Sequence, residues 1–240
     1  MIPPTSIDGT DITGATIDGT DVQEITVDGQ TVFTAQVPSS PNLLSRFEFE
    51  QNVTDTVGNI NAVDDTSAGF STQAAVGSFS KDFDGNNDDV RIDFDAYSLS
   101  RYSLSLWFMW RNIPGPGING NYIFDSDDNT RYYIVKSGSN EFGTAWGQFQ
   151  PDPSTLDENE LYHITLVNHA VGGLVEFYLN GDFEDSDTSG GLAFGNNPIY
   201  LGYRQFSFNA LDGLVDDLRL YDKALTATEV SNLYNNDSIL

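Results

Sequence analysis

The chain has 240 residues, of which 39% are hydrophobic and 12% aromatic, so it can bury a core of β-sandwich size. Its 36 acidic and 10 basic residues give a formal net charge of −26, which excludes nucleic acid and anionic membrane surfaces as partners because both are also negative. No apolar run reaches the roughly 20 residues that span a bilayer, so we expect no membrane insertion.

The acidic excess is typical of a surface adapted to concentrated salt. Asp outnumbers Glu by 27 to 9, and only three residues are lysine. At about 1 M salt the Debye length falls to roughly 3 Å, so the self-repulsion of such a surface is largely screened. The composition therefore favours a halophilic source, with an acidic extracellular protein or a calcium binder as the alternative.

The first 37 residues contain a short repeat with a period of ten. Residues 6–12, 16–22 and 26–32 each place an Asp-Gly pair between β-branched residues, which predicts a two-residue hairpin turn. So small a unit cannot bury its own apolar face, and stacking or intertwining with copies is the usual remedy. We interpret 1–37 as an anchoring and oligomerisation segment; a simple β-meander docked on the main domain is the alternative.

Residues 38–42, rich in Pro and Ser, form a predicted linker to a main domain that spans 43–240. There, short alternating runs separated by Gly, Asn and Asp clusters predict an all-β sandwich or jelly roll. The clearest predicted strands are 45–50, 103–110, 131–135, 163–168, 175–179, 199–202 and 214–221. Thr226 and Glu229 have capping-box spacing, which predicts one short C-terminal helix of about two turns.

Four segments in chain order resemble the laminin-G-like, or concanavalin A-like, jelly-roll domains, a group that includes pentraxins and many carbohydrate-binding modules. They are an aromatic–acidic opening strand with its loop (44–59), a Phe-Asp-Gly turn (83–90), a strand and Asn-Gly hairpin (161–181), and a closing strand with an Asp-Asp pair and helix (211–234). The resemblance covers residues 43 to about 235 and implies a concanavalin A-like jelly-roll β-sandwich. A fold of this kind does not fix a function.

The N-terminal repeat has a second resemblance. Its Ile-Asp-Gly and Val-Asp-Gly units, which end in VDGQTVF at 27–33, look like the N-terminal segments of tail and fibre proteins of tailed viruses. The residues after Met1 show neither the basic nor the apolar region of a signal peptide. We therefore expect synthesis in the host cytoplasm without a signal peptide, and a place on the virion surface.

Four acidic residues are the candidate metal ligands. Strand alternation places Asp216 on the same face as the leucines that follow it, and a buried carboxylate needs a compensating partner. In the resembling family the first and last strands are adjacent and often hold a calcium ion, which would bring Glu50 and Asp55 near Asp216 and Asp217. The alternative is that these carboxylates accept backbone N–H bonds at turns.

Three aromatic residues beside predicted loops are the candidate ligand contacts. Trp110, Trp146 and Tyr203 are placed to stack against a sugar ring, with a core or subunit-interface position as the alternative.

Catalysis is not expected from this sequence. The chain has no cysteine, its two histidines fall in or next to predicted strands, and it has no nucleophile elbow or Gly-rich phosphate loop.

These features together predict a non-enzymatic virion structural protein of a halophilic virus, as a tail fibre, baseplate spike or capsid-vertex spike. Residues 1–37 would join a homo-oligomer, a trimer or pentamer, to other virion proteins. The lectin-like jelly roll would bind a host surface glycoprotein or its glycans. The alternatives are a cell-surface adhesin or lectin of a halophilic archaeon and a carbohydrate-binding module of a glycoside hydrolase.

Overall fold

The computed structural model describes the chain with gaps, over residues 6–7, 10–11, 16–17, 20–21, 24–27, 30–34, 42–64, 68–86, 88–94, 97–112, 123–126, 132–133, 142–144, 148–149, 156–188, 194–195, 198–202 and 210–236. The chain divides into two compact units, and the boundary between them lies after Pro41. No helix in these ranges is long and apolar enough to cross a membrane.

The N-terminal unit contains three consecutive two-stranded antiparallel hairpins. Their strands are β1 (Ser6–Ile7), β2 (Thr10–Asp11), β3 (Thr16–Ile17), β4 (Thr20–Asp21), β5 (Glu24–Val27) and β6 (Gln30–Thr34). Ile7 pairs with Thr10 and Ile17 pairs with Thr20, so two residues separate the paired strands along the chain in each of these hairpins. The predicted hairpins are confirmed, and the anchoring role of residues 1–37 stays a prediction.

The second unit begins at Asn42 and contains the remaining strands and the helix. The strands are β7 (Leu43–Phe47), β8 (Ala62–Asp64), β9 (Phe70–Ser71), β10 (Ser80–Asp84), β11 (Val90–Ile92), β12 (Ser98–Leu99), β13 (Tyr102–Trp110), β14 (Phe124–Ser126), β15 (Tyr132–Tyr133), β16 (Phe142–Thr144), β17 (Gln148–Phe149), β18 (Tyr162–Asn168), β19 (Val175–Leu179), β20 (Asp182–Asp187), β21 (Phe194–Gly195), β22 (Ile199–Leu201) and β23 (Asp212–Tyr221). The helix α1 spans Ala227–Asn236.

Two antiparallel sheets enclose the core of this unit. The larger has eight strands in the order β20-β19-β18-β13-β23-β10-β9, with β7 also paired to β23, and the smaller has the order β14-β22-β11-β8. Apolar side chains from both sheets form one buried cluster, which includes Phe108 on β13 and Ile92 on β11. The predicted β-sandwich with one short helix is therefore confirmed.

The central strand β13 is covered on both faces, as its nearly continuous apolar sequence predicts. Leu104, Leu106 and Phe108 point into the core cluster, whereas Ser105 and Met109 are buried on the opposite face of the sheet. We call that opposite face the outer face.

Helix α1 packs against the outer face and is longer than the two turns predicted. Its capping box is formed, because Thr226 N donates to Glu229 Oε2 at 2.8 Å and Glu229 N donates to Thr226 Oγ1 at 3.3 Å. The ring of Tyr234 lies 5.6 Å from that of Trp107 on β13. Burial of the helix's apolar side against the sheet extends it to ten residues.

The first and last strands of the second unit are adjacent, as the resemblance implied. Arg46 on β7 pairs with Arg219 on β23 in an antiparallel register. Strand β7 ends before the predicted boundary at residue 50, because Phe49 and Gln51 have positive φ angles of 53° and 56° and leave the extended conformation.

Candidate functional site

Asp55 caps the turn that follows β7. Its carboxylate accepts a hydrogen bond from Ser45 Oγ at 2.6 Å and bonds from four backbone N–H groups at 2.9–3.0 Å. Burial alone would raise the pKa of Asp55, but the Ser45 bond and the backbone bonds together lower it. Both carboxylate oxygens of Asp55 therefore accept hydrogen bonds from protein donors. This is the arrangement expected if Asp55 caps a turn rather than binds a metal ion.

Glu50 and Asp216 together hold one loop segment against the sheet. Asp216 Oδ2 accepts the backbone N–H groups of residues 75 and 76 at 2.8 and 2.9 Å. Glu50 Oε1 accepts those of residues 78 and 79 at 2.7 and 3.2 Å. Each carboxylate thus stabilises a turn of the segment that leads into β10.

Asp217 lies between two guanidinium groups on the outer face. Its Oδ1 accepts from Arg46 Nε at 2.7 Å, and its Oδ2 accepts from Arg219 Nη2 at 2.5 Å. Arg46 also pairs with Glu48 at 2.9 Å. The carboxylate is 3% exposed, so these charge-assisted bonds are needed to offset its desolvation.

Asp216 is buried, as predicted, but the predicted face is wrong. Val215 belongs to the core cluster, whereas Asp216 pairs with Trp107 on the outer face. Asp217, with a φ of 45°, then inserts an irregularity that returns Leu218 to the core. Simple alternation fails here because an extra residue in one strand reverses the orientation of everything before it.

The four predicted metal ligands do not form one site. Among the residues that the structure describes, no group of three or more Asp, Glu or His side chains is arranged to hold a metal ion. Glu50, Asp55 and Asp216 accept backbone N–H groups, and Asp217 accepts from two cations. Asp216 Oδ1 is buried without a hydrogen-bond partner, but the four carboxylates are engaged with different groups of protein donors, so together they do not fit the shared calcium site implied by the resemblance.

We expect chelation to leave the stability of the domain unchanged. A calcium site saturated at a hundred times its Kd would add about 2.7 kcal/mol to the free energy of unfolding. Thermal unfolding in EDTA and in excess calcium, with magnesium as the control ion, should therefore give the same midpoint. A midpoint that rises with calcium and not with magnesium would contradict this expectation.

Trp110, a predicted ligand contact, is instead a core residue. It is 1% exposed, and its ring lies 4.9 Å from that of Phe108 in an edge-on arrangement. Although it ends its strand next to a loop, alternation along β13 directs it inward. Trp146 and Tyr203 lie outside the described residues, and their role stays a prediction.

A cleft of about 590 Å³ lies beside the ends of the neighbouring strands β10, β13 and β23 of the large sheet. Asp84 at the end of β10 pairs with Asp212 at the start of β23, and Gly213 pairs with Trp110 at the end of β13. The lining residues are Ala68, Gly69, Asp82, Asp84, Asp88, Arg111 and Asp212.

Arg111 is the single cation of this lining and is fixed by three contacts. Its Nε donates to Asp212 Oδ1 at 2.8 Å, and its Nη2 donates to Asp82 Oδ1 at 2.6 Å and to the carbonyl oxygen of Phe83. The bonds to Asp82 and Asp212 raise the pKa of Arg111. The guanidinium is therefore held in one orientation at the cleft.

Two further carboxylates of the cleft are oriented by the turn after β10. The Asp84 carboxylate accepts the N–H of Asn86 at 2.9 Å, and the N–H of Asp84 donates to Asp88 Oδ2 at 3.0 Å. The bond from Asn86 lowers the pKa of Asp84, whereas burial raises that of Asp88. Both side chains keep oxygen lone pairs with which to accept bonds from a ligand.

Sequence reasoning missed this cleft. The turn that contains Asp84 and Asp88 was recognised only as a marker of the fold, and Arg111 belongs to no motif. In a chain with 36 acidic residues, the acids of the cleft carry no local signal, since only the pairing of three distant strands brings them around one arginine.

The buried histidine does not form a catalytic pair. His163 Nε2 lies 2.7 Å from Ser105 Oγ, but the two residues are 3% and 1% exposed on the outer face. Burial, with Arg219 nearby, lowers the pKa of His163 to about 4. Substrate has no access to this pair in the structure, and the neutral imidazole is a packing group between Trp107 and Tyr234.

The sequence of the second unit matches a known family. Residues 84–231, more than half of the chain, match the laminin-G-type family described as the Concanavalin A-like lectin/glucanases superfamily. The chain belongs to this superfamily. The match includes most of the cleft, from Asp84 through Arg111 to Asp212. No curated protein matches the chain.

Solved structures of other proteins share the superfamily fold. Domain 4 of AbnA, an extracellular arabinanase from Geobacillus stearothermophilus in complex with arabinotriose, is 19% identical with a TM-score of 0.63, over 81% of this chain and 98% of that domain. The binding domain of Paraclostridial Mosquitocidal Protein 1 is 19% identical with a TM-score of 0.66, over 82% and 52%. The receptor binding domain of botulinum neurotoxin type G is 15% identical with a TM-score of 0.59, over 82% and 51%.

The chain thus spans nearly all of the arabinanase domain and about half of each toxin domain. These likenesses confirm the predicted jelly-roll fold. The mosquitocidal-protein and neurotoxin structures are both described as binding domains.

Proposed function

We propose that the second unit is a non-enzymatic, lectin-like module that binds carbohydrate in the cleft around Arg111. The observation that carries the proposal is the arrangement of one fixed guanidinium among four carboxylates at the edge of the sheet. Sugar hydroxyl groups both donate and accept, so a rigid arrangement of planar donors and acceptors suits them.

The superfamily supports this proposal without fixing the ligand. One domain of the same fold was solved with arabinotriose, another is the binding domain of a mosquitocidal protein, and a third is the receptor binding domain of a botulinum neurotoxin. A cleft of about 590 Å³ has room for a short oligosaccharide rather than for a folded partner.

In its biological setting, the module would act in host attachment as part of the virion of a halophilic virus. The hairpin repeats of residues 1–37 and the charge of −26 support this setting. A carbohydrate-binding module of a glycoside hydrolase is the second candidate, favoured by the likeness to the arabinanase domain over 98% of its length. Absence of the protein from purified particles would exclude the virion.

The variant Gly69→Leu tests the site. Gly69 is exposed in the cleft, and a Cβ there would meet only the Asp82 Cβ at 3.9 Å, an ordinary contact distance. The leucine should leave folding unchanged and obstruct part of the cleft. We expect titration calorimetry with neutral oligosaccharides, arabinotriose among them, to show at least a roughly tenfold loss of affinity.

The control is Arg91→Ala, which removes a partly buried ion pair with Asp93, the residue that follows β11 of the smaller sheet. It should bind as the wild type does, because neither residue of this pair lines the cleft. Binding that survives Gly69→Leu would place the sugar elsewhere, and absence of binding across a glycan array would refute the proposed function.

A further inference from the structure

The aspartates of the cleft differ in whether a cation forms an ion pair with them. Asp82 and Asp212 are each paired with Arg111 at 2.6 and 2.8 Å. Asp84 and Asp88 have backbone N–H partners, and no cation pairs with either among the described residues. The negative charge on the side of the turn after β10 is therefore less compensated, because Arg111 and Lys81 act on Asp84 and Asp88 only at longer range, whereas the arginine is already neutralised by its two direct partners.

The arginine nevertheless keeps donors for a ligand. Its Nε and Nη2 are used by Asp212, Asp82 and the Phe83 carbonyl, whereas its Nη1 has no partner within the described part of the chain. Because Arg111 is held at its other two nitrogens, Nη1 points in a fixed direction with two N–H groups available.

We propose that the cleft selects neutral, hydroxyl-rich sugars and excludes sugars that carry a carboxylate, with Arg111 Nη1 donating to a sugar oxygen and Asp84 and Asp88 accepting from hydroxyls. This inference rests on the proposed function. An arginine that recognises anions needs its charge free and its fork open, and here two aspartates occupy both. A ligand carboxylate would also meet Asp84 and Asp88, which have no cation in direct contact among the described residues, and like charges brought together in this way disfavour binding.

The test compares a uronic-acid oligosaccharide with the same oligosaccharide after its carboxyl groups are reduced to alcohols. The two probes have the same rings and linkages and differ in charge. We expect the neutral form to bind at least about tenfold more tightly at 0.15 M salt, and the ratio to shrink in molar salt as charge repulsion is screened.

A double variant assigns the discrimination to the cleft. Asp84→Asn with Asp88→Asn keeps side-chain oxygens that can accept the N–H groups of Asn86 and Asp84, so the turn should remain folded. Affinity for the uronic form should rise about fivefold or more, and that for the neutral form should change little. The matched control, Asp185→Asn with Asp187→Asn on β20, removes the same net charge elsewhere and should change neither.

Three outcomes would contradict the inference or the proposed function on which it rests. In the first, the uronic form binds as tightly as the neutral form or more tightly, and Gly69→Leu abolishes this binding. That result would overturn the proposed selectivity for neutral sugars but would still support carbohydrate binding in the cleft. An equal gain from the β20 control would show that net charge, rather than Asp84 and Asp88, excludes the acid, and would overturn the inference. Failure of both probes and of a wider glycan set to bind would refute the proposed function and the inference with it.

Discussion

Replacing Asp64 with alanine should lower the free energy of unfolding by about 3–5 kcal/mol, because it leaves a buried ammonium group without its counter-ion. Lys81 on β10 is fully buried and points between the two sheets, where its Nζ lies 2.6 Å from Asp64 Oδ2 on β8. The same Nζ donates to the carbonyl oxygen of Ala68 and lies 4.4 Å above the centre of the Phe70 ring. The ion pair therefore joins the two sheets inside the core.

Removing the two partners of the ion pair should destabilise the domain to different extents, and this difference provides the control. Lys81→Met should cost much less, because the Asp64 side chain is 21% exposed and can be hydrated when its partner is lost. Adding Lys81→Met to Asp64→Ala should recover most of the lost stability, since no charge is then buried alone. Urea unfolding at constant high salt measures all three variants. Equal losses from the two single variants would contradict the unpaired-charge explanation.

Replacing Asp216 with asparagine should stabilise the domain at pH 8 by about 2–4 kcal/mol. Burial raises the pKa of Asp216 from its ordinary 3.8 to about 7, against the opposing bonds from the N–H groups of Val76 and Ala75. The asparagine oxygen can accept the same two N–H bonds, and the side chain has no charge to desolvate. It therefore imitates the protonated acid that burial favours.

The pH dependence identifies the group. Between about pH 4 and pH 7 the folded state retains a proton at Asp216 that the unfolded chain has released. Stability contributed at this position therefore falls as the pH rises through this range, and the whole loss is present above pH 7. Wild type and Asp216→Asn should accordingly be equally stable near pH 4 and diverge towards pH 7, as measured by urea unfolding at each pH.

The control for this experiment is Asp222→Asn, an exposed carboxylate just beyond the same strand. It should change stability by no more than about 0.5 kcal/mol at any of these pH values. An Asp216→Asn variant that is less stable than the wild type at pH 8, and whose deficit depends on calcium, would restore the metal-ligand role of this residue.

The positions of several strands, the hairpins and the C-terminal capping box could be predicted because each depends on residues close together in sequence. An Asp-Gly pair tolerates the positive φ of a tight turn wherever it occurs, and Thr226 and Glu229 meet within one helical turn. Alternation of apolar residues likewise reports which face of a strand is buried, as long as the strand is regular.

The orientation of individual site residues could not be predicted in this way. The irregularity at Asp217, with its φ of 45°, reverses the face of Asp216. Trp110 is next to a loop in sequence, but its side chain is buried in the core cluster to which both sheets contribute. In both cases a contact with a distant strand, rather than the local pattern, decides what the side chain touches.

The acidic residues also show which properties the sequence determines and which depend on the tertiary structure. Composition alone establishes a surface on which negative charge is abundant, and it assigns the protein no particular site. The tertiary structure separates the acids into turn caps such as Asp55, core ion pairs such as Asp64, and the carboxylates that surround Arg111. Burial and pairing partners set the energy of each carboxylate, and both depend on which distant strands the fold brings together.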